Sequence, residues 1–346
     1  MHQILLIALL LAVPAAAAET PQVAVIHLDR PIWLLGLGDA QWLFDFRSRA
    51  HGARVSVFPL ANVSPSSLQE PTEQREDEIG RATRSLALFL SERIFAETTC
   101  RSSAEVPVVQ GAGPVVSGKE WPLETLIAAA KEVTPAVIVS GAVERRYAGA
   151  RSRVTIAVWD TATRKLESSF EDVRYFEQPN SSALALTQRV IDHLVRSSRC
   201  ERLQAPPGWD PPREQLVAPY LDALGQLLPQ ALAENGVVPA SSIWGEADML
   251  AWYSTLRQHM PSSVPARLIY VRGILMSKAY GGSAYRQFES ELIGEASRAT
   301  SPEMTRLAPL IFARLGAPER CKSAKVALRK AAGENFAEWL GRVQCE

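Results

Sequence analysis

Gly113-Pro-Val-Val-Ser-Gly118-Lys119 has the spacing of a phosphate-binding loop, in which backbone N–H groups and a lysine cradle the phosphates of a nucleotide. The residues that follow argue against that chemistry. Glu120 stands where a serine or threonine would meet Mg²⁺, and its carboxylate would repel phosphate. Trp121 and Pro122 delay the helix whose N-terminus should face the anion. A surface loop is the expectation, with no nucleotide or other cofactor. Gly36-Leu-Gly38 follows a strand-like run, but Gln41 occupies the third glycine position of a dinucleotide fingerprint, so a turn is expected there.

Beyond His2, the histidines are His27, His51, His193 and His259. They are scattered, with no H-E-x-x-H and no pair at i, i+4. His27 lies in a strand-like run near Asp29, so a Ser-His-Asp set could only assemble from residues distant in sequence. A satisfied or exposed histidine is the simpler reading, and no G-x-S-x-G elbow is present. The acids Glu73, Glu76, Asp77 and Glu78 lack the alternating ligands and central glycine of a calcium loop. They read as the acidic start of a helix, complementing its dipole. No catalytic, cofactor-binding or metal-binding residue is assigned.

Four cysteines carry the clearest covalent chemistry. Cys100, Cys200, Cys321 and Cys345 have no C-x-x-C spacing and no histidine nearby, which argues against zinc and thioredoxin-type sites. Three pairings are open to them. We expect Cys100 with Cys200 and Cys321 with Cys345, because each pair then lies within one proposed domain. The alternative is four reduced, partly buried thiols.

An oxidising compartment fits the start of the chain. Residues 4–13 form an apolar run, Pro14 stops it, and Ala15 to Ala18 offer the small side chains of a signal-peptidase site. The run is half the roughly 20 residues of a spanning helix, so residues 1–18 are expected to be a cleaved signal peptide and the mature chain to have no stable membrane span. Among 346 residues, Lys plus Arg and Asp plus Glu number 37 each. That balance gives no nucleic-acid footprint. The richest basic stretch is Arg320, Lys322, Lys325, Arg329 and Lys330, expected as a solvated helix face.

The chain divides at residues 206–212, a proline-rich linker in which neither helix nor sheet can continue. Before it, in residues 19–205, strands are expected at 23–28, 54–60, 106–109, 136–143, 153–159 and 165–173. Helices are expected at 75–98, 122–133 and 182–196, and the turns at 147–150 and 160–163 make the last three strands an antiparallel meander. Residues 31–46 are apolar without a period and receive no element. This part is α/β with a mixed sheet. Residues 213–346 read as an all-α, repeat-like helical domain, with helices at 213–235, 246–259, 264–279, 284–298, 302–315, 318–332 and 334–343.

Three stretches carry a family resemblance. Val55-Ser-Val-Phe-Pro-Leu-Ala-Asn-Val-Ser64, Ala136-Val-Ile-Val-Ser-Gly-Ala-Val143 and Val154-Thr-Ile-Ala-Val-Trp-Asp-Thr-Ala-Thr163 resemble the TolB amino-terminal-like domain, an α/β module of bacterial envelope proteins. The resemblance covers about residues 54–198, and 23–52 depart from it. Gly273, Tyr280 and Pro302 are similar in outline to tetratricopeptide-type positions, at a longer spacing. The first resemblance implies a binding module. The expected function is therefore that of a periplasmic, non-catalytic protein-binding or scaffold protein of the cell envelope, with other envelope proteins as partners. A hydrolase of envelope polymers and a structural subunit of an envelope assembly are the alternatives.

Overall fold

The structure, a computed structural model, describes residues 23–38, 40–43, 51–64, 78–145, 152–298, 301–329 and 334–346. The proposed signal peptide, acids 73–77 and the turn at 147–150 lie outside these residues.

One mixed sheet organises the first half, in the order β1 (Val23–Leu28), β4 (Arg101–Val109), β2 (Arg54–Val57), β6 (Val137–Glu144), β7 (Arg153–Asp160), β8 (Lys165–Asp172). The three central strands β4, β2 and β6 run parallel, and β1, β7 and β8 pair antiparallel to their neighbours. The meander is as expected. Asp160 closes its second turn by accepting from the Thr163 N–H (2.5 Å) and hydroxyl (2.8 Å), and Arg199 completes the charge. These three partners hold Asp160 down at about 2. Four expected bounds in this half change by more than a residue: β4 begins at Arg101 rather than 106, β2 stops at Val57 as the chain turns away at Pro59, the helix expected at 122–133 ends at Ala129, and that expected at 182–196 begins at Pro179.

The sheet's two faces differ. Val55, Val57, Val106, Val137 and Val139 point to the main core, covered by α2 (Leu86–Glu97) and α4 (Pro179–Arg196). The first of these helices starts as α1 (Glu78–Gly80) and widens into a π segment (Arg81–Ser85) before it continues. There the Thr83 carbonyl accepts from Leu60 N at 3.0 Å, which docks the chain leaving β2. On the other face Val25, Phe58 and Ile138 form a smaller core under the short α3 (Leu123–Ala129).

Beyond the proline-rich segment the chain is helical: α5 (Val217–Glu234), α6 (Glu246–His259), α7 (Val264–Ala279), α8 (Tyr285–Arg298), α9 (Pro302–Arg314), α10 (Pro318–Arg329) and α11 (Glu334–Arg342). Gly273 lets α7 lie on α6, since a Cβ there would stand 2.5 Å from the Tyr253 ring. α10 buries only Cys321 and presents Arg320, Lys322 and Arg329 to solvent. The main core is continuous across residues 206–212. Trp209 is buried there against Trp33, with ring centroids 6.0 Å apart.

The described part of the stretch left without an element, residues 31–38 and 40–43, is a strap, and the rest of 31–46 lies outside the described residues. Ile32–Leu34 and Gln41–Leu43 form single 3₁₀ turns. Gly36, at φ +72°, packs so closely on the guanidinium of Arg272 that a Cβ would stand 2.7 Å from it. Trp339 of α11 donates to the Leu37 carbonyl at 2.8 Å, and Trp42 stands edge-on to Trp339 and Phe336. The strap thus runs from the sheet to the last helix.

Both expected disulfides are present. Cys100–Cys200 joins the segments after α2 and α4, with Cα atoms 5.2 Å apart. Cys321–Cys345 pins the C-terminal segment to α10, with Cα atoms 5.6 Å apart.

Candidate functional site

Two neighbouring features on the α3 face of the sheet concentrate the polar and apolar groups that a ligand would meet. The first is a row of polar side chains across three strands. His27 stands opposite Glu105 in the β1–β4 register, and Ser56 stands opposite Ser103 in the β2–β4 register. Glu105, fully buried, accepts from the Ser56 hydroxyl at 2.7 Å and the Ser103 hydroxyl at 2.5 Å through Oε1. Its Oε2 meets Nδ1 of His27. Burial opposes charge on the imidazole, but the hydrogen bond and charge of Glu105, with Glu132 adding to them, outweigh it and raise His27 above its ordinary value.

His27 is thus a satisfied histidine, and its partner is not the Asp29 that lies near it in sequence. Asp29 pairs with Arg30 through two hydrogen bonds of 2.9 and 3.0 Å, and the carboxylate on His27 comes from β4. A nucleophilic triad needs a hydroxyl that donates to an imidazole. Here both hydroxyls donate to the carboxylate, so the row clamps β1, β4 and β2 together. Of the other histidines, His193 lies 3.2 Å from Glu167 and far along the chain from this row.

The second feature is a crevice. The parallel strands follow the order β2, then β4 on one side, then β6 on the other. The crossovers use α2 on one face and α3 on the opposite face. Such a reversal leaves a gap at the carboxyl ends of the first and third strands, the place where open α/β sheets receive ligands. The sequence widens this gap locally. Pro59 cannot donate to a ladder, and the chain rejoins the sheet only at β3 (Ala61–Asn62), beside β6. Residues 113–117 enter on the β4 side as β5 (Gly113–Pro114), with Val115 N bonded to Pro107 O and Asn62 N to Ser117 O, both at 2.8 Å.

The crevice left between these segments is shallow and open, with about 370 Å³ of empty space when the solvent at its mouth is included. Phe58, Pro107, Val115 and Leu126 line it, Trp121 walls it, and Ser117, Lys119 and Glu120 stand at its rim. Phe58 and Trp121 meet edge to face, 6.2 Å between centroids. Ser140 on the floor accepts from Trp159 Nε1 at 3.2 Å. Beyond Ser140 on the same face, Trp159 is half-buried and Leu166, its partner in the β7–β8 register, is 48% exposed. Gly141 is required on this floor, because a Cβ would stand 2.0 Å from the Thr155 carbonyl.

The Gly-x-x-x-x-Gly-Lys segment is therefore part of the site, in another role. Its Val115 N–H is bonded to Pro107, its Ser117 carbonyl accepts from Asn62, and α3 starts only at Leu123, so no helix N-terminus follows the loop directly. Lys119 is an exposed rim residue. Sequence reasoning weighed Lys119 only as part of a phosphate loop, which it set aside for a surface loop, and it passed over Glu105, Ser56 and Trp121 as site residues. The available signal was a lone acid, Glu105, inside an apolar strand opposite the only histidine of β1.

No known family matches this chain, and no characterised protein matches it in sequence.

Proposed function

We propose that the protein is an exported, non-catalytic protein-binding or scaffold protein of the bacterial cell envelope, and that it engages its partner at the crevice between β2 and β6. The supporting observation is the crevice itself: a gap at the sheet's switch point, walled by Trp121 and Phe58, on the sheet face that also carries exposed Leu166. Aromatic anchors in partly buried pockets are what protein interfaces use as hot spots. The adjacent carboxylate has its hydroxyl and imidazole partners already in place, which fits holding a surface rather than turning over a substrate. The two disulfides are compatible with an extracytoplasmic location. Export rests on the pattern of residues 1–18, and the likeness to the TolB amino-terminal-like domain points to the same kind of protein. Among the described residues no helix is long and apolar enough to cross a membrane.

A photo-reactive residue placed at Lys119 or at Leu166 tests this in intact cells. Both positions are expected to give one and the same cross-linked product, while Val326, exposed on α10 at the far end of the chain, gives none of it. Products shared equally by all three positions, or none at the two crevice positions, would reject the assignment.

A further inference from the structure

The junction between the sheet half and the helical half contains a carboxyl group that the proposed binding function does not use. Glu92 sits on α2 and is 2% exposed. Its Oε2 accepts from Trp33 Nε1 of the strap at 2.9 Å, and its Oε1 accepts from the Tyr220 hydroxyl of α5 at 2.5 Å. The three groups belong to three separate pieces of the fold: strap, sheet-covering helix and first helix of the second half.

Both partners are neutral. The guanidinium of the adjacent Arg93 has its donors on Glu97 (2.7 and 3.0 Å), Thr187 (2.8 Å) and Gln188 (2.7 Å). Glu97, five residues further along α2, adds like charge, and the group that the strap is seen to bring to Glu92 is an indole. Arg272 of α7, under Gly36 of the strap, is paired with Glu234. A buried carboxylate whose only hydrogen-bond partners are two neutral donors, with no cation bonded to it, is costly in its ionised form. We propose that Glu92 is a proton-operated latch, which holds the strap and α5 on α2 when neutral and lets them part when ionised.

The sign follows from linkage. Burial, against the two hydrogen bonds and Arg93, pushes Glu92 up to about 8 in the closed fold, whereas opened to water it returns to its ordinary 4.5. Between those values the closed form holds one more proton than the open form. The opening constant therefore rises about tenfold for each pH unit from about 5 to about 8, then levels off.

Hydrogen exchange of the full chain from pH 5 to 9.5, corrected for intrinsic exchange, reads this directly. Amides of residues 32–34 and 217–234 are expected to follow that slope and plateau, while amides of β6 and β7 do not. Glu92→Gln should remove the slope at both segments. Tyr220→Phe, which removes one donor to the ionised form, should move the plateau to higher pH and serves if the first variant fails to fold. A wild-type opening constant independent of pH, the same slope throughout the sheet, or an unmoved plateau in Tyr220→Phe would overturn the latch.

Discussion

At the scale of residues, the His27–Glu105 contact sets a pH dependence of its own, opposite in use to a catalytic histidine. Its folded value is raised above the free 6.5, so the fold takes up a proton there. The stabilisation is fully present below about 6.5 and is lost as pH rises through the folded value. We expect His27→Gln to cost about 1–3 kcal/mol at pH 6, the range of a hydrogen bond to a charged group. Urea titrations at pH 6 and pH 9 should show this deficit shrinking at the higher pH. A deficit that stays constant would mean that packing, not the charge, is what His27 contributes. Single residues were legible in the sequence where their chemistry is local or where the chain's division limited their partners. The Asp160-Thr163 turn could be read from type and spacing, and the cysteine pairs from the division at residues 206–212. Glu105 and Glu92 could not, because each gains its meaning from partners on other elements: His27 lies 78 residues from Glu105, and Tyr220 lies 128 from Glu92.

Among the elements, the helices of the second half were the most legible, because their apolar stripes and the breaks at Gly281, Ser301 and Gly316 leave little freedom of assignment. The strap was illegible for the converse reason. Trp33, Leu34, Leu37 and Trp42 touch different helices in turn, so their spacing follows the docking surface and has no period of its own. Its far end depends on α11, and α11 is held to α10 by Cys321–Cys345. In the chain-entropy model that bridge, closing 24 residues, is worth about 3.5 kcal/mol, and Cys100–Cys200, closing 100, about 4.7. Replacing Cys321 and Cys345 together by serine should therefore lower stability by up to that smaller amount. It should also expose residues 334–346 and the strap to limited proteolysis, while β6 to β8 stay protected. Cleavage that begins in the sheet instead would show that the strap does not lean on the C-terminal helix.

Taken as a whole molecule, the chain has an α/β half and a helical half, as the change of composition at residues 206–212 implies, yet one apolar core passes through both. Trp33, Trp209 and Tyr220 bring the strap, the proline-rich segment and α5 together beside α2. This packing leaves the opposite face of the sheet only partly covered, by α3 and residues 115–121, and there the crevice opens. The fold class could be read in advance because each half keeps one period throughout. The crevice could not, since it arises where β2 stops at Pro59 and a segment some 50 residues later fills the space beside it. The central claim is that this crevice is the surface by which the protein holds its partner. The most direct test uses the partner captured at Lys119, purified, with dissociation constants measured for three forms of the chain. Trp121→Ala should weaken binding at least about tenfold, as loss of an aromatic anchor does, and Val326→Ala should leave it unchanged. Equal affinities for wild type and Trp121→Ala would contradict the account.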